Sequence, residues 1–288
     1  MTILLKKEKK KVSMNNNQAT LFLVATPIGN LSEVSSRTLE TLKNVDVIAC
    51  EDTRNTIKLL THFDIHTRMI SYHNFNEEKA SKEIVSFLKE GKSVALVSDA
   101  GYPLISDPGF TLVNEVIEND IKIVPISGPN ACLNALVSSG LPTSHFLFYG
   151  FLNAKQSLAK KELEELKDFP YTIVFYEAPH RINKTLNLCL EVFGNRRACL
   201  ARELTKVHEE FIRGSLEELN KLEDLKGEMV LVVEGHKEEE VSINLDDLCK
   251  KVDELISKGL KTKEAITKIS KEYKVSKNNL YDYYHANR

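Results

Sequence analysis

The sequence predicts an α/β protein with two α/β domains and a small C-terminal helical module. Three observations predict it. In the first half, short β-branched runs alternate with helical patterns, the signature of strand–helix–strand units with right-handed crossovers. Several of these runs, such as Val94-Ala95-Leu96-Val97, are apolar without alternation, which suits strands covered on both faces of a mainly parallel sheet. In the second half, strand candidates follow one another with fewer helices between them, which predicts a mixed, partly antiparallel sheet. At roughly 100–200 residues per domain, 288 residues allow two domains with real cores. A chain that is 42% hydrophobic and 28% charged is neither wholly disordered nor collagen-like.

In order along the chain, residues 1–18 read as a disordered basic tail. Its first twelve residues hold five Lys and one Glu, with the apolar residues ahead of the lysines, the reverse of a secretory signal. Residues 19–128 form the first domain, with strands expected at 21–25, 45–50, 68–71, 93–98 and 122–126. Helices are expected near 35–43, 55–62, 77–90 and 110–119. Residues 129–236 form the second domain. It opens with a helix at 130–139, followed by strands at 146–149, 172–176, 198–201, 207–214 and 229–233. Its further helices fall at 156–168, 181–192 and 215–222. The charged stretch 237–240 reads as a linker. Helices at 246–257, 262–273 and 277–285 then form a module whose expected core is Leu260, Ala265, Ile266, Ile269, Val275, Leu280 and Tyr284. The last two helices resemble a helix-turn-helix, and the module reads equally as a packing unit or an RNA contact.

The balance of 39 basic and 41 acidic residues excludes a strongly basic nucleic-acid coat, but not binding of RNA through a local patch. The five cysteines are odd in number and lack zinc spacing, which fits a reducing cytosol. The longest apolar runs are far too short to span a bilayer.

Three Gly/Pro bends follow strand candidates in the first half: Thr26-Pro27-Ile28-Gly29-Asn30, Asp99-Ala100-Gly101-Tyr102-Pro103 and Ser127-Gly128-Pro129-Asn130. Each alone is ordinary turn chemistry. Three at equivalent strand ends point to a shared pocket, because ligands collect at the carboxyl ends of parallel strands. Neither GxxxxGK[ST] nor GxGxxG occurs, which disfavours a P-loop NTPase and a nicotinamide dinucleotide. A ligand without phosphates, such as an adenosine-type sulfonium, fits better. Asp107, followed by Pro108, could cap the helix beginning near Phe110, a role that weighs at least as much as chemistry for it, while Asp99, directly after its strand, is the more exposed of the two to the pocket.

Three polar clusters end strands and could carry chemistry. Glu51, Asp52 and Arg54 follow the second strand, where Asp52 or Thr53 is also a natural helix N-cap. Glu177, Ala178, His180 and Arg181 end a strand of the second half. Arg202, Glu203 and Lys206 end another, and Arg202 with Glu203 reads equally as a plain ion pair. The planar guanidinium matches phosphate, so Arg54, Arg181 and Arg202 suit an RNA backbone. Glycosidase carboxylate spacing, HExxH and GxSxG are all missing, and no metal site is expected.

The stretches LFLVATPIGNLSEVSSRTLETLKNVDVIACEDTR, ALVSDAGYPLISDPG, VPISGPNA, GFLNAK, FYEAPHRI, LARELTKVHEE and GEMVLVVEG run from about residue 20 to 236. In that order they resemble the ribosomal RNA small subunit methyltransferase I family of the tetrapyrrole methylase superfamily. Tyr102 stands where Thr or another residue is expected. The resemblance implies a two-domain tetrapyrrole-methylase-like fold and an S-adenosylmethionine-dependent enzyme acting as a homodimer. It implies methylation of a ribose 2'-OH on a decoding-centre cytidine of 16S rRNA, within the 30S subunit. Carried over by motif, Pro27, Gly29, Asp99, Gly101, Ser127, Gly128, Pro129, Ala178, Glu228 and Met229 would contact the cofactor. Glu51, Asp52, Glu177, Glu203 and Lys206 are the candidates for proton removal or orientation of the ribose. Arg54, Arg181 and Arg202 would hold phosphates. The alternatives are a methyltransferase acting on a tetrapyrrole precursor and a non-catalytic RNA-binding module.

Overall fold

The computed structural model of the chain describes residues 19–237, 244–273 and 275–287. The basic tail and most of the expected linker lie outside the described residues. The chain divides into two compact units, with the boundary in sequence between His236 and Lys237.

The first unit holds two five-stranded sheets. Strands β1 (Thr20–Val24), β2 (Val47–Cys50), β3 (Met69–Ser71), β4 (Val94–Val97) and β5 (Lys122–Ile126) pair in the order β3-β2-β4-β1-β5, all parallel. Helices α1 (Ser36–Asn44), α2 (Thr53–His62), α3 (Glu77–Lys89) and α4 (Phe110–Glu118) cover its faces. Successive residues of a strand point to opposite faces. Val94 and Leu96 therefore pack with Ile84 and Leu112, while Ala95 and Val97 pack with Leu42 and Leu60. Burial of every position in β2 and β4 is the physical reason their sequences do not alternate.

Asp107 does not cap α4. The N-cap is Gly109, which has no side chain, and the Glu77 carboxylate accepts the N–H groups of Gly109 and Thr111 at 3.0 and 3.3 Å. A carboxylate from the first turn of α3 thus meets the positive end of α4, and Asp107 is left to face elsewhere.

The second sheet follows α5 (Ala131–Ser138). It comprises β6 (Phe146–Phe151), β7 (Thr172–Glu177), β8 (Arg197–Arg202), β9 (Glu210–Ser215) and β10 (Met229–Val233), in the order β6-β7-β10-β8-β9. Only β6 and β7 are parallel; the other pairings are antiparallel. Helices α6 (Gln156–Glu165), α7 (Ile182–Phe193) and the short α8 (Leu216–Leu219) bury one face around Phe175, Leu186, Leu200 and Leu231. Cys132, Ala135 and Leu136 of α5 pack on the other face with Val174, Val230 and Val232.

Two elements differ from expectation. The strand placed at 207–214 begins only at Glu210. Glu203 and Thr205 have φ of 50° and 67°, a left-handed backbone that breaks the extended chain and turns it. The helix placed at 215–222 is one turn, 216–219, closed by a Ser215/Glu218 capping box.

In the second unit, α9 (Leu245–Ser257), α10 (Thr262–Glu272) and α11 (Lys277–Ala286) bury Ala265, Ile266, Ile269, Leu280 and Tyr284 against Leu248 and Val252. Leu260 and Val275 pack at its edge.

Candidate active site

Parallel strands put all their carboxyl ends on one edge, and β4, β1 and β5 are neighbours there. The three Gly/Pro bends therefore meet, and hydrogen bonds tie them together. Thr26 and Gly101 exchange both backbone hydrogen bonds, at 2.8 and 3.1 Å, and the Thr26 hydroxyl donates to the Ser98 carbonyl at 3.1 Å. The Gly128 N–H donates to the Tyr102 hydroxyl at 3.2 Å. Gly128 also lies so close to Ala25 that a Cβ there would stand 2.8 Å from the Ala25 methyl.

The second sheet supplies the facing wall. Because β10 runs antiparallel to β7 and β8, its first residues lie beside their last ones, with Met229 opposite Glu177 and Arg202. Ile28 of the first bend packs into the second sheet's core beside Leu204 and Val230, which fixes the two halves around a common cleft. The cleft has a volume of about 330 Å³, at the lower end of the range for small-molecule sites. Gly101, Glu177, Ala178, Glu228 and Met229 of the expected residues line it. Ile28, Tyr102, Asp107, Phe151, Tyr176 and Leu204 line it too. Pro27, Gly29 and Asp99 line a separate hollow of about 230 Å³ with Asn55, whose amide donates to Asp99 at 2.8 Å. Ser127, Gly128 and Pro129 line neither cavity, although Asn130 and Ala131, the next two residues, line the cleft.

The expected carboxylates separate by environment. Asp52 is the N-cap of α2: it accepts the Arg54 N–H at 2.8 Å and the Arg54 guanidinium at 2.7 Å. Those bonds hold its carboxyl down to about 2. Glu177 is buried and fully engaged. It accepts from the Ala178 N–H at 2.8 Å and the Thr185 hydroxyl at 2.5 Å, and pairs with Arg181 at 3.3 Å. Glu203 accepts from Lys206 at 2.9 Å and from the Glu228 N–H at 3.0 Å, and its carboxyl is lowered chiefly by the Lys206 bond. Lys206 also donates to Glu228 at 3.1 Å. In contrast, burial and the nearby Asp99 and Asp52 push the Glu51 carboxyl up. Asp107 is pushed up further, to about 6, first by burial and then by Glu51, against an opposing hydrogen bond from Ser98.

The three arginines separate in the same way. Arg54 is 86% exposed beyond its bond to Asp52. Arg181 donates to the carbonyls of Leu152 and Asn153 at 2.8 and 3.1 Å, joining the end of β6 to the start of α7. Arg202 pairs at 3.3 Å with Glu210, its register partner on β9, rather than with Glu203. His180 is exposed.

Sequence reasoning weighed a helix cap against chemistry for Asp107 and set Asp99 nearer the pocket; the cleft takes Asp107, and Asp99 lines the other hollow. The available signal was its position in the same bend as Asp99 and Gly101. It did not single out Tyr176, the last residue of an expected strand, or Phe151, two residues beyond the expected strand 146–149 and inside the observed one.

The cleft lining contains three carboxylates, Asp107, Glu177 and Glu228, and no Lys or Arg. The lining offers a phosphate-bearing ligand no cation of its own, while Glu177 and Glu228 are paired behind it with Arg181 and Lys206. It suits a ligand with a flat apolar body and net positive charge, and S-adenosylmethionine has an adenine ring and two cationic groups, sulfonium and ammonium, against one carboxylate. The residues present therefore fit that group, with Ile28, Leu204 and Tyr176 as apolar walls.

A parallel five-stranded sheet and a mixed five-stranded sheet around one cleft are an arrangement shared with solved structures. The fold resembles uroporphyrin-III-C-methyltransferase from Thermus thermophilus, with a TM-score of 0.54 at 19% identity, over 75% of this chain and 94% of that one. It also resembles the methyltransferase CobJ, with a TM-score of 0.58 at 17% identity, over 76% and 94%. Residues 20–220 match the family of Tetrapyrrole (Corrin/Porphyrin) Methylases, and the chain belongs to that family. Within it, the chain is 45% identical to ribosomal RNA small subunit methyltransferase I of Halalkalibacterium halodurans, over 97% of this chain and 99% of that protein. The proteins of that name from Bacillus subtilis and Escherichia coli O157:H7 are 45% and 41% identical, each over 96% of this chain and 98% of theirs.

Proposed function

We propose that the protein transfers a methyl group from S-adenosylmethionine to the ribose 2'-OH of a decoding-centre cytidine in 16S rRNA, within the 30S subunit. Kinship over 96–97% of the chain with rRNA small subunit methyltransferases supports the substrate. The cation-free, carboxylate-bearing cleft supports the cofactor, and it is the single observation that carries the reading.

S-adenosylmethionine, when bound, supplies a methyl group already activated by sulfonium charge. The protein's task is alignment and proton management. The apolar walls exclude water and orient the adenine ring. Gly101, Ala178, Glu228 and Met229 lie where they can touch the cofactor directly. Pro27, Gly29, Asp99, Ser127, Gly128 and Pro129 build and brace the bends that shape the cleft. A ribose hydroxyl is a weak acid, so a proton acceptor speeds its attack. Asp107 is the best placed acceptor, because it lines the cleft and has the most strongly raised carboxyl among those beside it; Glu51 is the second. Asp52, Glu177, Glu203 and Lys206 hold the site's frame, since their polar atoms are engaged with one another and with backbone groups. Arg54 is the arginine free to reach an RNA phosphate. Arg181 and Arg202 serve the fold.

The same proposal has the enzyme act in the cytosol as a homodimer, and exposed Leu133 and Val137 on one face of α5 offer an apolar self-contact. No described helix is long and apolar enough to cross a membrane.

The test is incubation of the protein with methyl-labelled S-adenosylmethionine and 30S subunits, followed by mapping of the modified nucleotide. Label on a 16S ribose is the expected result. Label in a corrin precursor and none in RNA transfers the chain to the tetrapyrrole-acting branch.

A further inference from the structure

The helical unit carries a feature that the methyl-transfer cleft does not use. Its lysines are unevenly placed. Four of its carboxylates, Asp246, Asp247, Asp253 and Glu254, lie on α9. Lys261, Lys263, Lys268, Lys271 and Lys277 instead gather around one groove of about 550 Å³, with Thr267 and the single carboxylate Glu264. On α9, Lys250 pairs with Asp247 at 2.9 Å, and Lys251 donates to the Tyr273 hydroxyl. Among the described residues, the groove lysines have no such partner. Five exposed lysines around one groove, against a single carboxylate, make a locally positive surface that a polyanion can neutralise.

The spacing makes the surface continuous. Lys263, Thr267 and Lys271 follow one another at i, i+4 and i+8 along α10, on one helix face. Lys277, Tyr281 and His285 do the same along α11. Lys277 is the first residue of α11, so its charge adds to the positive end of a ten-residue helix. Tyr281 is 42% exposed, and its ring lies 4.3 Å from that of His285, centroid to centroid. Asn278, beside them, is exposed. A cationic stripe that runs into exposed rings and an amide is the chemistry that meets nucleic acid, where phosphates take the ammonium groups and bases or sugars take the rings. An acidic protein surface would leave the ring pair unused.

We propose that the face of α10 and α11 bearing Lys263, Lys268, Lys271 and Lys277 binds the phosphate backbone of RNA, as a second contact tethered to the catalytic unit. The inference rests on the reading of rRNA as substrate and assigns part of its affinity to this unit. Tethering two modest contacts raises overall affinity through effective concentration, without a new contact at the cleft.

The test uses the full chain carrying K263Q, K268Q, K271Q and K277Q together, with the matching four Lys→Arg changes as the charge-preserving control. All four positions are exposed. Binding to a 16S rRNA fragment is measured as a function of salt for each protein, and cofactor binding is measured by calorimetry. Each lost phosphate contact lowers the slope of log affinity against log salt by about 0.7–0.9. The Gln variant is expected to lose about 3 from that slope and at least about fivefold in affinity. The Arg variant should keep both, and calorimetry should be the same for all three. An unchanged slope in the Gln variant overturns the proposal, as does displacement of the RNA by polyglutamate as efficiently as by competing RNA. Methyl transfer to RNA by the unmodified chain is scored separately. Its absence would sink the functional reading, while the slopes would still decide the groove.

Discussion

The side chain of Lys206 lies directly against Gly29: a Cβ at Gly29 would stand 2.6 Å from Lys206 Cγ and 2.9 Å from the Thr205 hydroxyl. The contact joins the first bend of the parallel sheet to the turn after β8, next to the packing of Ile28 on Leu204. Gly29→Ala is expected to force the Thr205–Lys206 turn outward and destabilise the protein by about 1–3 kcal/mol, with weaker cofactor binding. Lys206→Ala in the same chain removes Cγ and should restore part of the loss. Urea unfolding and calorimetry on the double-mutant cycle measure it, and simple additivity of the two changes would mean that the contact carries no coupling.

Asp107 sets a pH dependence of the chemistry. Its carboxyl is raised to about 6, so as a proton acceptor it is active only when ionised above that pH. Turnover under saturating RNA should rise through about pH 6 and level off. Asp107→Asn should lower turnover by about 10²–10⁴-fold with cofactor binding retained. Normal turnover in that variant would pass the role to Glu51, tested by Glu51→Gln.

The same group sets a pH dependence of stability, with a defined sign. The folded state holds the Asp107 proton more tightly than the unfolded state, whose value is near 3.8. Between about 4 and 6 the folded state therefore binds more protons, and stability falls as pH rises through that window. The Asp107→Asn variant should lose this component. Urea midpoints at pH 4.5 and pH 7 for both proteins check it.

Glu177 and Arg181 should act on the fold rather than on the chemistry. Glu177 has a side chain with no exposed surface, and its partner Arg181 is 24% exposed. Glu177→Ala leaves the Thr185 hydroxyl and the Ala178 N–H without this acceptor and that guanidinium without its counter-charge, though still bonded to the Leu152 and Asn153 carbonyls, at a cost of about 3 kcal/mol, the lower end for a broken buried pair. Thermal unfolding measures the loss. A stable Glu177→Ala protein with abolished turnover would instead return Glu177 to the chemistry.

Tyr102 links two bends through its hydroxyl, which accepts the Gly128 N–H at 3.2 Å. Tyr102→Phe should cost about 1 kcal/mol and loosen cofactor binding slightly, read by thermal unfolding and calorimetry.

Local chemistry made much of this legible in advance. The uninterrupted apolar runs became β2 and β4 because full burial on both faces removes any reason for alternation. The three Gly/Pro bends could be read as one site because parallel strands put their carboxyl ends on one edge. The errors lay where a residue's role depends on a partner far away in sequence. Asp107 looked like a cap because Pro108 and Phe110 follow it, but Glu77, thirty residues earlier, satisfies that helix end. For Arg181 and Arg202 the sequence offered phosphate contacts, and it does not reveal that Leu152, Glu177 and Glu210 also engage them.

By itself, then, the sequence determined the elements, their order and the bends that gather at one edge, because periodicity and turn chemistry act over a few residues. Which carboxylate stays engaged and which faces the cleft with a raised proton affinity was decided only by tertiary structure. Burial and the field of neighbouring charges depend on which chain segments are brought within a few ångströms, and no local pattern encodes that.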